Sequence, residues 1–154
     1  MISRNSSPSS TRARILLVDD NANGLAARKS VLEELGYRIV ACASGADALE
    51  QFADAKFDLV VTDYKMPRMD GLELISHLRK ATPDLPIVLV SGYVDSLGMN
   101  ESSTGADVVI QKSANEVSHL VRSVNRLLRR KPLAKKPVAS QSPGPKVKRK
   151  GASS

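Results

Sequence analysis

Five short apolar runs punctuate the chain, at residues 15–18, 37–41, 59–62, 86–90 and 108–111, and each reads as a strand. Several are unbroken rather than alternating, which is the pattern of strands covered on both faces. Helical spacing of apolar residues fills the intervals near 24–35, 46–53, 72–80 and 115–130. The last is the clearest, with Val117, Leu120, Val121, Val124, Leu127 and Leu128 recurring on one face. Three helix starts carry capping signatures: Ser44 precedes Asp47 by three residues, Asp70 precedes Glu73, and Ser113 precedes Glu116. The stretch 95–105 predicts one further helix, kept short by Gly98 inside it and Ser102-Ser103 near its end. Strands alternating with helices imply a parallel sheet with right-handed crossovers. At roughly 117 residues, an open doubly wound α/β sheet fits, whereas a closed barrel needs about 250.

Charge then separates the ends from the middle. The net charge is +7, yet nine Lys and Arg and no acid lie before residue 14 or beyond residue 130, which leaves −2 for residues 14–130. Residues 1–13 are Ser-rich, and 131–154 combine Lys, Pro, Ser and Ala with few large apolar groups. Such segments bury too little surface to offset their ordering entropy, so both are expected to be disordered around a single folded domain at 14–130. The apolar runs are far too short to span a bilayer, and the first fourteen residues lack the apolar core of a secretory leader. The single cysteine, Cys42, excludes an internal disulfide and suits a reducing, cytoplasmic setting. Cys42 itself reads as a small buried apolar residue. His77 and His119 fall on helices without a paired ligand.

In open α/β sheets, ligands sit beyond the carboxyl ends of the strands. That rule collects residues far apart in the chain. The first strand ends in Asp19-Asp20, the third in Asp63, the fourth in Ser91 and the fifth in Lys112. Three carboxylates at one rim repel, and without a counter-charge at least one is driven towards protonation. A hard divalent cation resolves the repulsion, and Mg²⁺ prefers oxygen ligands and retains waters. With no imidazole or thiol in the set, zinc and copper are disfavoured. A carboxylate beside Mg²⁺ and an ammonium is equipped to accept a phosphoryl group as a nucleophile, with the cations neutralising charge on the transferring oxygens.

The order DD … D-x-x-M-P-x-M-D-G … S … K resembles the receiver domain of two-component response regulators, the CheY-like family. It reads here as Asp19-Asp20, Asp63-Tyr64-Lys65-Met66-Pro67-Arg68-Met69-Asp70-Gly71, Ser91 and Lys112. The likeness implies a flavodoxin-like fold: five parallel strands in the order 2-1-3-4-5, with five helices. It implies Asp63 as phosphoacceptor, and a Mg²⁺ site made by Asp19, Asp20, Asp63 and the backbone carbonyl of Lys65. Ser91 would be the switch hydroxyl and Lys112 would contact the phosphoryl oxygens. Lys65 and Tyr93 match the two family positions that tune hydrolysis, and both are bulky enough to hinder an attacking water. The implied partners are a histidine kinase or histidine phosphotransfer protein upstream and a downstream protein that binds one state. A homodimer through the face of the fourth helix, fifth strand and fifth helix is a further candidate. Such a protein is a phosphorylation-controlled stand-alone switch, and no enzyme beyond its own phosphorylation and dephosphorylation.

Departures from the family bear on the switch. Ser113 replaces the proline that usually follows the lysine, which predicts a trans bond there and an N-cap for the last helix. Val109 stands where the family favours an aromatic rotamer switch. These two residues support an alternative, a receiver-like interaction module indifferent to phosphate. A haloacid-dehalogenase-like phosphatase would need a second aspartate two residues after Asp63, where Lys65 stands. The basic tail suits nucleic acid through phosphate neutralisation without sequence preference, but a charge run is more often a solvated segment. The acids of 59–74 separate accordingly. Asp63 is the reactive candidate, and Asp70 and Glu73 are a cap pair.

Overall fold

A computed structural model describes the backbone of residues 13–134 and the side chains of 13–129. The segments expected to be disordered, 1–13 and 131–154, lie outside the described residues except for Ala13 and the backbone of 131–134. The chain forms two units, Met1–Val124 and Asn125–Ser154, and the sheet lies wholly in the first.

The elements alternate as β1 (Arg14–Val18), α1 (Ala22–Glu34), β2 (Arg38–Cys42), α2 (Gly45–Asp54), β3 (Leu59–Asp63) and α3 (Gly71–Ala81). They continue as β4 (Ile87–Ser91), α4 (Val94–Leu97), α5 (Glu101–Thr104), β5 (Val108–Gln111) and α6 (Glu116–Ala134). All strand pairs are parallel, in the spatial order β2-β1-β3-β4-β5. This is the 2-1-3-4-5 order of the flavodoxin-like fold. Every residue of β3 and β4 is buried, as the unbroken runs LVVTD and IVLVS require of central strands covered on both faces. Leu16, Val18, Val60, Leu74, Ile75, Leu78, Ile87 and Leu89 form the centre of the core, and Cys42 packs into it. Burial pushes the Cys42 thiol up to about 11, the behaviour of an inert apolar residue.

Six helices are present among the described residues rather than five. The region 95–105 divides because Gly98 takes a left-handed conformation (φ 61°) that ends α4, and Asn100 restarts the chain as the N-cap of α5. Both ends of this break are local chemistry: Gly98 meets no steric penalty there, and the Asn100 side chain accepts from Ser103 N–H. The caps of α2 and α3 form as expected. Asp47 N–H donates to Ser44 Oγ at 3.1 Å, and Asp70 and Glu73 complete a reciprocal capping box. The expected Ser113–Glu116 box does not form. Ser113 Oγ accepts from Asn115 N–H, and the Glu116 carboxylate is drawn instead to Arg28. A charged guanidinium fork outcompetes a neutral backbone amide for a carboxylate.

Candidate functional site

Strand register builds the rim. Val18 pairs with Thr62, so Asp19 and Asp63 leave adjacent strands at the same level. Asp63 is level with Val90 and Ser91 with Gln111, which puts Ser91 and Lys112 each one step further out. Neighbouring strands lie about 4.8 Å apart, so side chains on these ends meet. The structure brings together Asp19, Asp20, Asp63 and Lys112 as expected. One carboxylate oxygen from each of the three aspartates lies within 4.8 Å of the others.

The acids differ in environment. Asp19 and Asp63 are buried, at 1% and 3% exposure, while Asp20 is exposed. Lys112 Nζ stands 2.7 Å from Asp63 Oδ1 in an ion pair. Asp63 Oδ1 is therefore a buried carboxylate oxygen held against a single ammonium. Burial raises the Asp63 carboxyl above its ordinary pKa, and the nearby Asp19 adds to the rise, while Lys112 and Arg28 oppose it. Hard oxygen donors from three clustered carboxylates, with no nitrogen or sulfur donor among them, fit a divalent cation such as Mg²⁺.

Ser91 is buried at the end of β4, but its Oγ accepts from Tyr93 N–H at 2.9 Å. The Lys112 backbone N–H donates to Ser91 O at 2.9 Å and ties the two strand ends together. At the mouth, Tyr64 and Tyr93 make an edge-to-face pair with centroids 5.8 Å apart. Lys65 Nζ lies 5.7 Å from the Tyr93 ring centroid. Val109 packs against the core without a ring to swing.

The loop beyond Asp63 is tightly seated. Gly71 N–H donates to Tyr64 O at 2.8 Å, and Thr62 Oγ1 donates to Asp63 O. Arg68 sits at φ 70°, the centre of a three-residue turn in which Met69 N–H donates to Pro67 O. That conformation is costly for a residue with a Cβ. The buried Met66 side chain anchors the same loop in the core.

Arg28 escaped the sequence reading, and Glu116 was read only as part of a cap. Arg28, on α1, is only 4% exposed. Its Nη1 lies 2.5 Å from Asp19 Oδ2, and its Nε and Nη2 lie 2.7 Å and 2.6 Å from Glu116 Oε2. Burial pulls its pKa down, but the bonds and charges of Glu116 and Asp19 outweigh that and raise it. The available signal was spacing: Arg28 lies four residues before Leu32, on the buried face of α1.

The chain matches the response regulator receiver domain family over residues 15–125. It is 30% identical over 115 residues to the response regulator receiver protein CpdR of Brucella abortus, covering 75% of this chain and 96% of that one. Several relatives are longer, and this chain spans 18% and 16% of two of them. Among solved structures it resembles the response regulator protein TrrA of Thermotoga maritima in complex with Mg²⁺-BeF, at TM-score 0.68 and 36% identity. That match covers 75% of this chain and 98% of TrrA. TrrA in its complex with the histidine kinase ThkA matches at TM-score 0.67 and 37% identity, over 75% of this chain and 98% of that one. The chain belongs to the receiver-domain family of two-component response regulators, and its acidic cluster at Asp19, Asp20 and Asp63 fits that family's phosphorylation site.

Proposed function

We propose, from this family membership, that the protein is a phosphorylation-controlled switch whose acceptor is Asp63. The observation that carries the reading is one buried carboxylate at a strand end, flanked by two further acids and ion-paired to Lys112. An Asp63 oxygen attacks the phosphorus of a phosphohistidine on a histidine kinase or phosphotransfer protein. The P–N bond breaks and its electron pair stays with the departing imidazole. Lys112 neutralises one of the transferred phosphoryl oxygens. Asp19, Asp20, Asp63 and the Lys65 carbonyl would hold Mg²⁺; when bound, the ion supplies positive charge to the transferring oxygens.

Ser91 Oγ then turns from its Tyr93 amide contact to donate to the new phosphoryl group. That turn gives the loop after β4 two arrangements, and a partner that prefers one of them reads the state. Lys65 and Tyr93 shield the phosphoryl-aspartate from water and make it long-lived. The setting is cytoplasmic, where kinase and phosphodonor are at hand.

A small phosphodonor such as acetyl phosphate tests this. Labelling is expected in Mg²⁺ and not in EDTA, and Asp63→Asn abolishes it. Absence of Mg²⁺-dependent labelling in the wild type would favour the phosphate-indifferent interaction module, the reading that Val109 and Ser113 support. The basic tail lies outside the described residues, so nucleic-acid binding rests on its composition. A gel shift that weakens steeply with salt and disappears on deleting 131–154 tests it.

A further inference from the structure

Asp19 is claimed from two sides. It belongs to the carboxylate cluster that fits a divalent cation, and it is also gripped by Arg28 at 2.5 Å. The other edge of the same guanidinium holds Glu116, the first residue of α6. One buried side chain on α1 thus bridges the end of β1 to the start of the last helix. Gly24 leaves space for the grip: a Cβ there would lie 3.0 Å from Asp19 Oδ2. A buried ion pair is weak evidence for a purely stabilising role, because apolar residues of like volume do as well. Retaining a cation beside an acidic metal pocket calls for a different reason.

We infer that Arg28 is a positioning residue that couples cation binding at the acidic pocket to the seat of α6, through the relay Asp19–Arg28–Glu116. The inference rests on the metal site proposed above. A cation entering the pocket competes with the guanidinium for Asp19 and is repelled by its charge. Glu116 offsets that charge, so the state of the α6 end sets how strongly Arg28 opposes the cation. Linkage makes the effect reciprocal: cation binding changes how firmly Arg28 holds Glu116. In this chain the relay connects the pocket to the last helix without the ring that Val109 lacks.

Calorimetric Mg²⁺ titration of the full chain tests the relay, because the two ends of the clamp predict opposite signs. Arg28→Met removes a like charge and frees Asp19, so Mg²⁺ binds about tenfold tighter. Glu116→Gln leaves the guanidinium uncompensated, so Mg²⁺ binds about threefold more weakly, and this loss vanishes when Arg28 is already Met. A merely structural pair would leave both affinities unchanged or lower both, and either result overturns the inference. Should Arg28→Met fail to fold, Glu116→Gln alone decides: weakened binding supports the relay and unchanged or tighter binding refutes it. A wild-type chain with no Mg²⁺ heat overturns the metal site itself, and the relay with it. A wild type that binds Mg²⁺ with unmoved variants sinks the relay alone.

Discussion

Gly71→Ala reports on how closely the loop after Asp63 is seated. Gly71 begins α3, and its N–H donates to Tyr64 O at 2.8 Å. A Cβ built there would lie under 3.0 Å from the Asp63 carbonyl oxygen and 3.0 Å from both Leu89 Cδ1 and Tyr64 Cα. The glycine is required by space, since its φ is not positive. Two of the three neighbours are backbone, so relief demands that the chain carrying Asp63 move. Overpacking of this kind costs about 1–3 kcal/mol, against less than about 1 kcal/mol gained from the better helix propensity of Ala. A net loss near ~1.5 kcal/mol corresponds to a melting temperature lower by about 6 °C. A displaced carboxylate also takes phosphoryl poorly, and a misplacement approaching an ångström costs about 10²-fold in rate. Thermal melts by circular dichroism and initial rates of acetyl phosphate labelling measure the two effects. Gly92→Ala is the control for the melts: a Cβ there meets nothing within 4 Å. It should cost less than about 1 kcal/mol. A Gly71→Ala chain that melts and labels like the wild type would refute the reasoning.

Other changes test separate links. Asp70→Ala removes the α3 cap that accepts from Glu73 N–H at 3.0 Å, and should lower stability by about 1 kcal/mol in urea denaturation without abolishing labelling. In EDTA, Asp63→Asn should stabilise the protein at pH 7. Because the folded-state pKa of Asp63 is raised, its contribution is fully present below the unfolded carboxylate value and is lost as pH rises through the folded one. The gain from Asn should therefore shrink in melts taken at progressively lower pH, and a gain independent of pH contradicts the raised pKa. Lys65→Ala and Tyr93→Ala uncover the rim where the ammonium and ring now lie 5.7 Å apart. Each should shorten the phosphoryl-aspartate lifetime about tenfold, followed by release of inorganic phosphate; wild-type decay within seconds would sink the shielding role.

The rim was legible because the apolar runs end in polar residues at the same edge of the sheet. Ile15–Val18 and Leu59–Thr62 end just before Asp19 and Asp63, and parallel register does the rest. The fold followed from the same continuity, with β3 and β4 buried throughout. Arg28 was hidden for a complementary reason. Its partner Glu116 lies 88 residues away, and within each helix the two looked like ordinary charges or caps. The Ser113–Glu116 spacing was a true capping pattern overridden by that long-range pair. The single helix expected over 95–105 failed at Gly98, whose left-handed turn outweighs weak helical propensity on either side. Arg68 at positive φ carries no local signal; its turn is closed by Met69 N–H donating to Pro67 O.

Asp63 as the accepting carboxylate is the centre of the account. The direct measurement is to phosphorylate the full chain with acetyl phosphate in Mg²⁺, reduce with borohydride, and map the modified residue by mass spectrometry. Borohydride converts a phosphoryl-aspartate to homoserine and leaves unmodified aspartates alone. Conversion is expected at residue 63, with none at Asp19, Asp20 or Asp70. Conversion at one of those three, or none in a chain that binds Mg²⁺, contradicts it.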